Sequence, residues 1–277
     1  MEISGGNGGL HGALKNVRRE DCWLIDIDSY YPSIMVEYNW LPRCRHPERF
    51  KELLMLKRSK MSEAKLMVNS VYGLLPEDMR LKICKKGQEL MTALIERIGG
   101  ELIQVNTDGI IVQNPNVREL NKWEESTGMR TKRSHIVRII QKDVNNYMYL
   151  DDAGNITIKG TLRKQGIIGK AVASSLLHGT ALADEIKRGA LADYCMTRLA
   201  DVYGYGQYYF VCDVVRYIHV TDDEGADLMI DGVKYPQCRV IMGALTDYTV
   251  DDYKIDYSYY LAAARAEYER FTGRKAK

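Results

Sequence analysis

An aspartate–glycine pair at residues 108–109 separates two short apolar runs, and this arrangement constrains the fold more than any other feature of the sequence. The runs are Leu102-Ile103-Gln104-Val105 and Ile110-Ile111-Val112, and Asn106-Thr107-Asp108-Gly109 lies between them. Asp-Gly between apolar runs is the strongest short-range signal for a β-hairpin with a tight turn. The sequence therefore predicts an antiparallel hairpin with Asp108 at its tip.

A second aspartate lies at the end of another predicted strand. The apolar run Cys22–Ile27 is typical of a buried strand, and it contains Asp26. A carboxylate buried there needs a partner, because an isolated buried charge is very costly. If Asp26 and Asp108 converge, their oxygens suit Mg²⁺. Taken singly, Asp108 is equally well explained as a turn residue and Asp26 as a helix N-cap.

Helical patterns fill much of the remaining chain. One helix is predicted from Pro47 to about Leu75, where Pro76 stops it, and a second from about Lys86 to Ile98, before Gly99-Gly100. Further helices are predicted at residues 117–126, 169–200 and 257–272, and strands at 146–150, 156–159 and 208–220. Strands alternate with helices early and helices dominate later, which predicts an α+β domain followed by a second subdomain.

Three polar residues share one face of the first long helix. Lys65, Asn69 and Tyr72 are spaced i, i+4, i+7, and Arg58 lies two turns earlier on roughly the same face. A cation, an amide and an aromatic ring together suit a phosphate, a sugar and a base. An amphipathic helix with a solvated Lys65 explains the same spacing, with an apolar side formed by Leu66, Met67, Val68 and Val71.

Charge is distributed unevenly in a chain whose formal net charge is only +2. Residues 43–65 carry eight basic and three acidic side chains, residues 130–170 carry nine and three, and residues 201–258 carry four and eleven. Two basic segments and one acidic segment are consistent with a bound polyanion, although solvated helix faces explain the same runs.

The composition is that of a globular protein, with 45% hydrophobic and 27% charged residues. No apolar run approaches the roughly 18 residues that a transmembrane helix needs, and the N-terminus lacks a secretory signal pattern. The six cysteines form no C-x-x-C pair, which favours reduced thiols. We therefore expect a cytoplasmic protein without membrane contact.

Five segments, in order along the chain, resemble motifs of family B DNA polymerases. Asp26-x-x-Ser29-Tyr30-Tyr31-Pro32-Ser33 is similar to motif A (D-x-x-S-L-Y-P-S), and Lys65-x-x-x-Asn69-Ser70-x-Tyr72-Gly73 is similar to motif B (K-x-x-x-N-S-x-Y-G). Asn106-Thr107-Asp108 matches motif C (D-T-D) in its last two positions. Lys159-Gly160 with Arg163-Lys164 resembles a basic motif beside the primer, and Gly8-Gly9-Leu10-His11-Gly12 resembles a glycine-rich segment before the palm. The chain looks most like a bacteriophage-type member, which would place it in the host cytoplasm.

This resemblance implies an α+β polymerase core: a palm with an antiparallel sheet, short helical fingers and a C-terminal thumb subdomain. The palm would comprise residues 1–168, with the fingers inserted at about residues 40–75, and the thumb-like subdomain residues 169–277. The short span between Tyr31 and Lys65 implies stubby fingers, in which Arg58 or Lys57 replaces a longer basic helix. Only 25 residues precede Asp26, so we expect no proofreading exonuclease in this chain.

The resemblance also implies roles for individual residues. Asp26 and Asp108 would be catalytic and hold two Mg²⁺ ions, with the Ile27 carbonyl as an extra ligand and Mn²⁺ as an alternative ion. The nucleotide would be bound by a set of side chains comprising Arg58 and Lys65 at the triphosphate, Tyr31 as the steric gate under the sugar, and Asn69 and Tyr72. Contacts to primer–template DNA would come from Gly8, Gly9, Lys159, Gly160, Arg163 and Lys164.

The sequence thus predicts a DNA-directed DNA polymerase that transfers nucleotides from dNTPs to a primer 3′-hydroxyl during DNA replication. Its expected partners are primer–template DNA, dNTPs and a separate exonuclease or replication subunit. One alternative is a catalytically weak or inactive polymerase-like DNA-binding subunit of a split replicase, which Asn106 in motif C supports. Another is a palm polymerase that makes or copies RNA. We expect Tyr30, unlike Tyr31, to point away from the sugar and have no part in sugar selection.

Overall fold

The computed structural model describes residues 1–6, 8–41, 46–59, 61–205, 208–222 and 225–275; within these ranges the side chains of residues 62, 69, 205 and 208–210 are outside the description. The chain is an α+β protein with antiparallel sheets, as predicted. It divides into two compact units, Met1–Val144 with Tyr149–Asn155, and Asn145–Met148 with Ile156–Lys277. The predicted palm and thumb boundaries stay a prediction.

The strands in the sheet of the first unit do not follow their order in the sequence. Its strands are β1 (Ser4–Gly5), β2 (Leu10–Ala13), β3 (Val17–Ile27), β4 (Glu101–Asn106), β5 (Gly109–Gln113), β6 (Thr131–Gln141) and β7 (Tyr147–Asp151). They neighbour one another in the order β1-β2-β4-β5-β3-β6-β7. The predicted hairpin is present as β4 and β5, and β3 lies between β5 and β6, antiparallel to both.

Helices supply the other half of the core of the first unit. They are α1 (Tyr30–Glu37), α2 (Pro47–Arg58), α3 (Ser62–Gly73), α4 (Glu77–Ile98) and α5 (Val117–Thr127). The single helix predicted from Pro47 to about Leu75 was wrong, because α2 ends at Arg58 and α3 starts at Ser62. In one straight helix Leu54 and Val68 would be about 21 Å apart. The break lets both side chains enter the same hydrophobic cluster.

Two elements begin earlier than their apolar patterns predicted. Strand β3 starts at Val17 rather than Cys22, and α4 starts at Glu77 rather than Lys86. The added residues of β3 include the charged run Arg18–Asp21, which has no hydrophobic pattern to mark it as a strand. The added turns of α4 mix charged residues with the buried Ile83 and Cys84, so the predicted start of this helix was wrong even though part of it contacts the core.

The second unit combines helices with a small closed barrel. It contains β8 (Ile156–Lys159), a 3₁₀ helix (Thr161–Lys164), α6 (Ile167–His178), α7 (Leu182–Lys187), α8 (Leu191–Tyr194), β9 (Met196–Tyr205), β10 (Tyr208–His219), β11 (Ala226–Ile230), β12 (Val233–Val240), two further 3₁₀ turns (Leu245–Asp247 and Val250–Asp252) and α9 (Tyr257–Thr272). The barrel has the strand order β10-β12-β11-β9.

The expectation that helices dominate the later part of the chain was therefore wrong after Tyr194, although β10 and α9 fall where strand and helix were predicted. The side chains of β11 alternate between buried and partly exposed, as a half-buried strand requires. The turn from β11 to β12 is Asp231-Gly232, with φ of 51° and 76°. Among the described residues, no helix combines the length and apolar character required to cross a bilayer.

Candidate active site

Strand β3 presents Asp26 near its C-terminal end. Its neighbours Ile25 and Ile27 are buried against the helices, and alternation along the strand places Asp26 on the other face, where it is exposed. The prediction that this carboxylate is buried was wrong, so burial gives no reason for a partner. The N-cap interpretation was also wrong, because the residue that precedes α1 is Ser29.

The β4–β5 hairpin brings Asp108 next to Asp26. The Ile27 N–H donates a hydrogen bond of 2.7 Å to the carbonyl oxygen of Asp108, and Gly109 lies opposite Asp26 in the strand register. A Cβ atom at residue 109 would come within 2.3 Å of Asp26 Oδ1, so the carboxylate occupies the space that this glycine leaves. The chain segments that carry the two exposed aspartates therefore lie side by side, where β3 ends and β5 begins.

The glycine-rich N-terminal segment packs against the same hairpin. Gly9 is buried, and a Cβ atom there would lie 2.5 Å from Thr107 Cγ2. The carbonyl of Gly8 accepts a hydrogen bond of 2.5 Å from Gln88 Nε2 on α4. The Asn106 side chain, which replaces the first acid of motif C, accepts a hydrogen bond of 2.9 Å from the Thr107 N–H. Close packing against Thr107 explains why residue 9 is a glycine. The DNA contacts of Gly8 and Gly9 stay a prediction.

A partly buried carboxylate, Asp28, joins strand β3 to two cations. Its Oδ2 lies 3.2 Å from Arg58 Nε, and its Oδ1 accepts a hydrogen bond of 2.9 Å from Lys132 Nζ. Arg58 Nη2 also donates to Ser33 Oγ at 3.0 Å. Burial of Asp28 favours its neutral form, but the hydrogen bond and charge of Lys132, with help from Ser29 and Arg58, prevail, and the pKa of this carboxyl lies below its usual value.

Four basic side chains of the first unit share this region, and we call Lys57, Arg58, Lys65 and Lys132 the cation cluster. Burial lowers the pKa of Lys57; the nearby charges of Lys132, Lys65 and Arg58 lower it further, against the opposing charge of Asp28. Lys132 lies directly opposite Asp26 in the β3–β6 register, so the cluster borders the aspartate pair. The Asn69 side chain lies outside the described residues.

An aromatic stack follows Asp28 in the chain. The rings of Tyr31 and Tyr72 are stacked, with centroids 4.8 Å apart and planes inclined by 21°. Tyr30 is buried and stacks on Tyr31 at 5.8 Å, while its hydroxyl donates to the Gly87 carbonyl at 2.5 Å. Tyr30 therefore packs in the core and supports the ring of Tyr31 directly.

The second unit carries the other predicted DNA contacts. Lys159, Arg163 and Lys164 are exposed, and Lys159 and Arg163 line a groove of about 390 Å³ together with Lys170. Gly160 has a φ of 86°, and a Cβ atom there would lie 2.3 Å from Asn146 Oδ1. The Asn146 side chain accepts a hydrogen bond of 3.2 Å from the Thr161 N–H, which fixes the backbone between the basic residues.

The sequence analysis missed three residues that lie near the aspartates and tyrosines of the first unit. The strand register places Lys132 opposite Asp26, and its side chain donates a hydrogen bond to Asp28, while Cys84 contacts Tyr72. Asp28 could have been noticed from the sequence, because it is a charged residue two positions after Asp26. Lys132 and Cys84 stand in no motif that the sequence displays.

Comparison of the sequence with family models and with curated proteins gives no match. The fold, by contrast, is similar to the solved structure of the family B DNA polymerase from the hyperthermophilic archaeon Pyrobaculum calidifontis, with a TM-score of 0.59 and 16% sequence identity. The chain has a DNA polymerase-like fold. The similarity covers 94% of this chain and 46% of that polymerase, so this chain spans about half of its length.

Proposed function

We propose that this chain is a template-directed DNA polymerase that joins the α-phosphate of a dNTP to a primer 3′-hydroxyl. The observation that carries the proposal is that the segments bearing Asp26 and Asp108 lie side by side, with the cation cluster next to Asp26. Carboxylates that can hold Mg²⁺, next to cations that can hold a polyphosphate, are the two requirements of nucleotidyl transfer. The polymerase-like fold supports the same reaction class.

The donor set fits Mg²⁺. This ion is typically bound by one or two carboxylates together with substrate phosphates and water, and Asp26 and Asp108 supply two exposed carboxylates. No group of three or more His, Cys, Asp or Glu side chains suited to a metal occurs in the described part of the chain. Asp26 and Asp108, with the Ile27 carbonyl, would therefore hold the ions jointly with the nucleotide. Bound Mg²⁺ would stabilise the charge that develops on the attacking and leaving oxygens.

The cation cluster would bind the triphosphate. Arg58 is held by Asp28 and Ser33, so its guanidinium is already positioned and loses little conformational freedom on binding. Lys65 is exposed on α3, and Lys132 projects from the strand next to Asp26. Positive charge fixed near the reacting phosphate both orients it and offsets the charge of the leaving pyrophosphate.

Tyr31 would select the sugar. It follows Asp26 by five residues and stacks on Tyr72, and its ring would form one wall beside the aspartate pair. A deoxyribose would pack on the ring, whereas a ribose 2′-hydroxyl would overlap with it. Asn69 and Tyr72, on the same helix α3, would complete the nucleotide site.

Lys159, Arg163 and Lys164 of the second unit would bind backbone phosphates of primer–template DNA, with Gly160 allowing the turn between them. Contacts of this kind are independent of sequence and weaken as salt is raised. Gly8 and Gly9 would contribute backbone contacts to DNA from the first unit. A separate exonuclease or replication subunit stays a proposed partner.

Primer extension tests the proposal and separates it from the two alternatives. Purified protein is given a labelled primer on a DNA or an RNA template, Mg²⁺ and either dNTPs or rNTPs. We expect extension on the DNA template with dNTPs. Binding of primer–template without extension in Mg²⁺ or Mn²⁺ would indicate a DNA-binding subunit instead, and extension mainly with rNTPs or on RNA would indicate a polymerase of another kind.

A further inference from the structure

A buried thiol lies behind the two tyrosines that the proposed function places at the sugar. Cys84 belongs to α4, is 6% exposed, and its Sγ lies 3.1 Å from Tyr72 Oη. The ring of Tyr72 stacks on Tyr31. Burial and then hydrogen bonding to Cys84 raise the pKa of Tyr31, and the same two causes raise the pKa of Tyr72. The thiol therefore contacts the Tyr72 hydroxyl directly, and Tyr72 in turn stacks on Tyr31.

Gly87, one turn further along α4, borders the same rings. A Cβ atom at this position would lie 3.2 Å from Tyr31 Cε1 and 3.4 Å from Tyr30 Cε1. The Gly87 carbonyl also accepts the hydrogen bond from Tyr30. The side of α4 that carries Cys84 and Gly87 thus packs closely against Tyr31 and the two rings stacked on it, and leaves little room for the Tyr31 ring to retreat.

We propose that Cys84 is a positioning residue for sugar selection, which holds Tyr31 and Tyr72 in place so that a ribose 2′-hydroxyl is rejected. The inference rests on the proposed function and adds a residue to it. Rejection by steric overlap requires a wall that does not yield, since a ring able to retreat by a few tenths of an ångström would admit the extra oxygen. Side chains locked by packing and by supporting hydrogen bonds provide such a wall.

The chain offers a conservative variant and a matched control. Cys84→Ala removes the sulfur atom that contacts Tyr72, whereas Cys84→Ser keeps a hydrogen-bonding group at the same position. Cys22→Ala is the control, because Cys22 is fully buried in the same unit and its Sγ donates to the Glu20 carbonyl instead of contacting a tyrosine hydroxyl. The measured quantity is the ratio of kcat/KM for an rNTP to that for the matching dNTP, opposite one template base.

Loss of one buried hydrogen bond predicts that Cys84→Ala raises this ratio by about threefold or more. We expect Cys84→Ser to remain close to the parent ratio and Cys22→Ala to leave it unchanged. A purely structural role for Cys84 would lower the melting temperature of the alanine variant without moving the ratio. That result, in a variant that is folded at the assay temperature, would overturn the proposal.

Tyr72→Phe keeps the stacked ring and removes only the hydroxyl that contacts Cys84, so it serves as the second variant if Cys84→Ala fails to fold. We expect its ratio to rise as well, and an unchanged ratio would contradict the inference. The activity of the parent protein distinguishes an error in the role of Cys84 from an error in the proposed function. If it extends primers with dNTPs but the variants show the parent ratio, only the role of Cys84 is wrong. If it extends with no nucleotide, the proposed function is wrong and the inference with it.

Discussion

The carboxylate of Asp26 lies directly over Gly109, the residue that follows Asp108 at the hairpin turn. A Cβ atom on residue 109 would approach Asp26 Oδ1 to 2.3 Å, which no real contact allows. The absence of a side chain at residue 109 therefore leaves the space that the Asp26 carboxylate occupies next to the hairpin turn.

Gly109→Ala should therefore reduce catalysis far more than stability. The Asp26 side chain is exposed and can turn away from the new methyl group, so we expect a small change in the free energy of unfolding. A displacement of about 1 Å at a reacting centre can cost about 100-fold in rate, and we predict a loss of that order in primer extension. Gly6→Ala, where a Cβ atom meets nothing within 4 Å, is the control. Equal extension rates for the two variants would contradict the arrangement.

Lys132 should bind the triphosphate, although it belongs to no motif. We predict that Lys132→Gln raises the KM for dNTP by about fivefold while kcat changes less, because removal of one exposed charge–phosphate contact costs about 1 kcal/mol. The matched control is Lys122→Gln. Lys122 is 66% exposed and paired with Glu119, much as Lys132 is 69% exposed and paired with Asp28. If steady-state kinetics gave the same change in KM for both variants, Lys132 would not be part of the triphosphate site.

Tyr31→Ala should weaken the rejection of ribonucleotides. We predict that the incorporation ratio of rNTP to dNTP rises at least about tenfold, or about 1.4 kcal/mol of lost discrimination. Tyr30 is unsuitable as the neutral control that the sequence suggested, because it stacks on Tyr31 and is bonded to Gly87. Tyr30→Ala should raise the ratio too, by a smaller factor. A ratio that stays at the parent value in Tyr31→Ala would end the steric-gate assignment.

The barrel of the second unit contains a buried histidine whose protonation destabilises the folded state. His219 is 5% exposed, stacks on Tyr259 at 3.5 Å, and lies 3.5 Å from Cys238 Sγ. Its Nε2 has no hydrogen-bond partner among the described residues. Burial lowers the pKa of His219 to about 4, although the charge of Asp256 acts in the opposite direction. The folded barrel therefore holds a neutral imidazole.

A folded-state pKa below the unfolded value gives stability that is fully present above about pH 6.5 and is lost as the pH falls toward 4. We predict that the free energy of unfolding falls by about 2–3 kcal/mol across this window from His219 alone. Urea titrations at several pH values, read by a probe in the second unit, would measure the slope. His219→Phe should flatten it, whereas His178→Gln, at the end of α6, should not. Parallel slopes in parent and His219→Phe would show that this residue is not responsible.

Turn chemistry and hydrophobic runs predicted part of this fold. The Asp108-Gly109 hairpin, strand β10 and helix α9 lie where the sequence placed them. Asp231-Gly232 carries the same turn signal between the runs that form β11 and β12, but the signal predicts a hairpin and not the barrel. A local pattern shows that two strands are joined by a turn, but barrel closure depends on pairing between β10 and β12 that no local pattern contains.

The candidate site likewise contains residues that the sequence predicts and residues that only the tertiary structure brings together. Asp26, Asp108, Lys65 and Tyr31 stand in motifs with fixed spacing, which can be recognised in the linear sequence. Lys132 and Cys84 reach the site only through the β3–β6 register and the packing of α4. A shift of the register by one residue would turn Lys132 to the other face of the sheet. Such residues depend on tertiary structure and could not be predicted from spacing.

The most direct test of the central claim compares the parent protein with Asp108→Asn, in which the carboxylate is lost and the size of the side chain is kept. Primer extension with dNTPs and Mg²⁺ is measured on the same DNA whose affinity is measured by fluorescence anisotropy, with Asp78→Asn, an exposed residue of α4, as the control. We predict that Asp108→Asn loses extension by at least about 1,000-fold, as expected for a metal-binding carboxylate, while the Kd for primer–template changes less than about threefold. Near-normal extension by Asp108→Asn would contradict the assignment of the two aspartates as the catalytic centre.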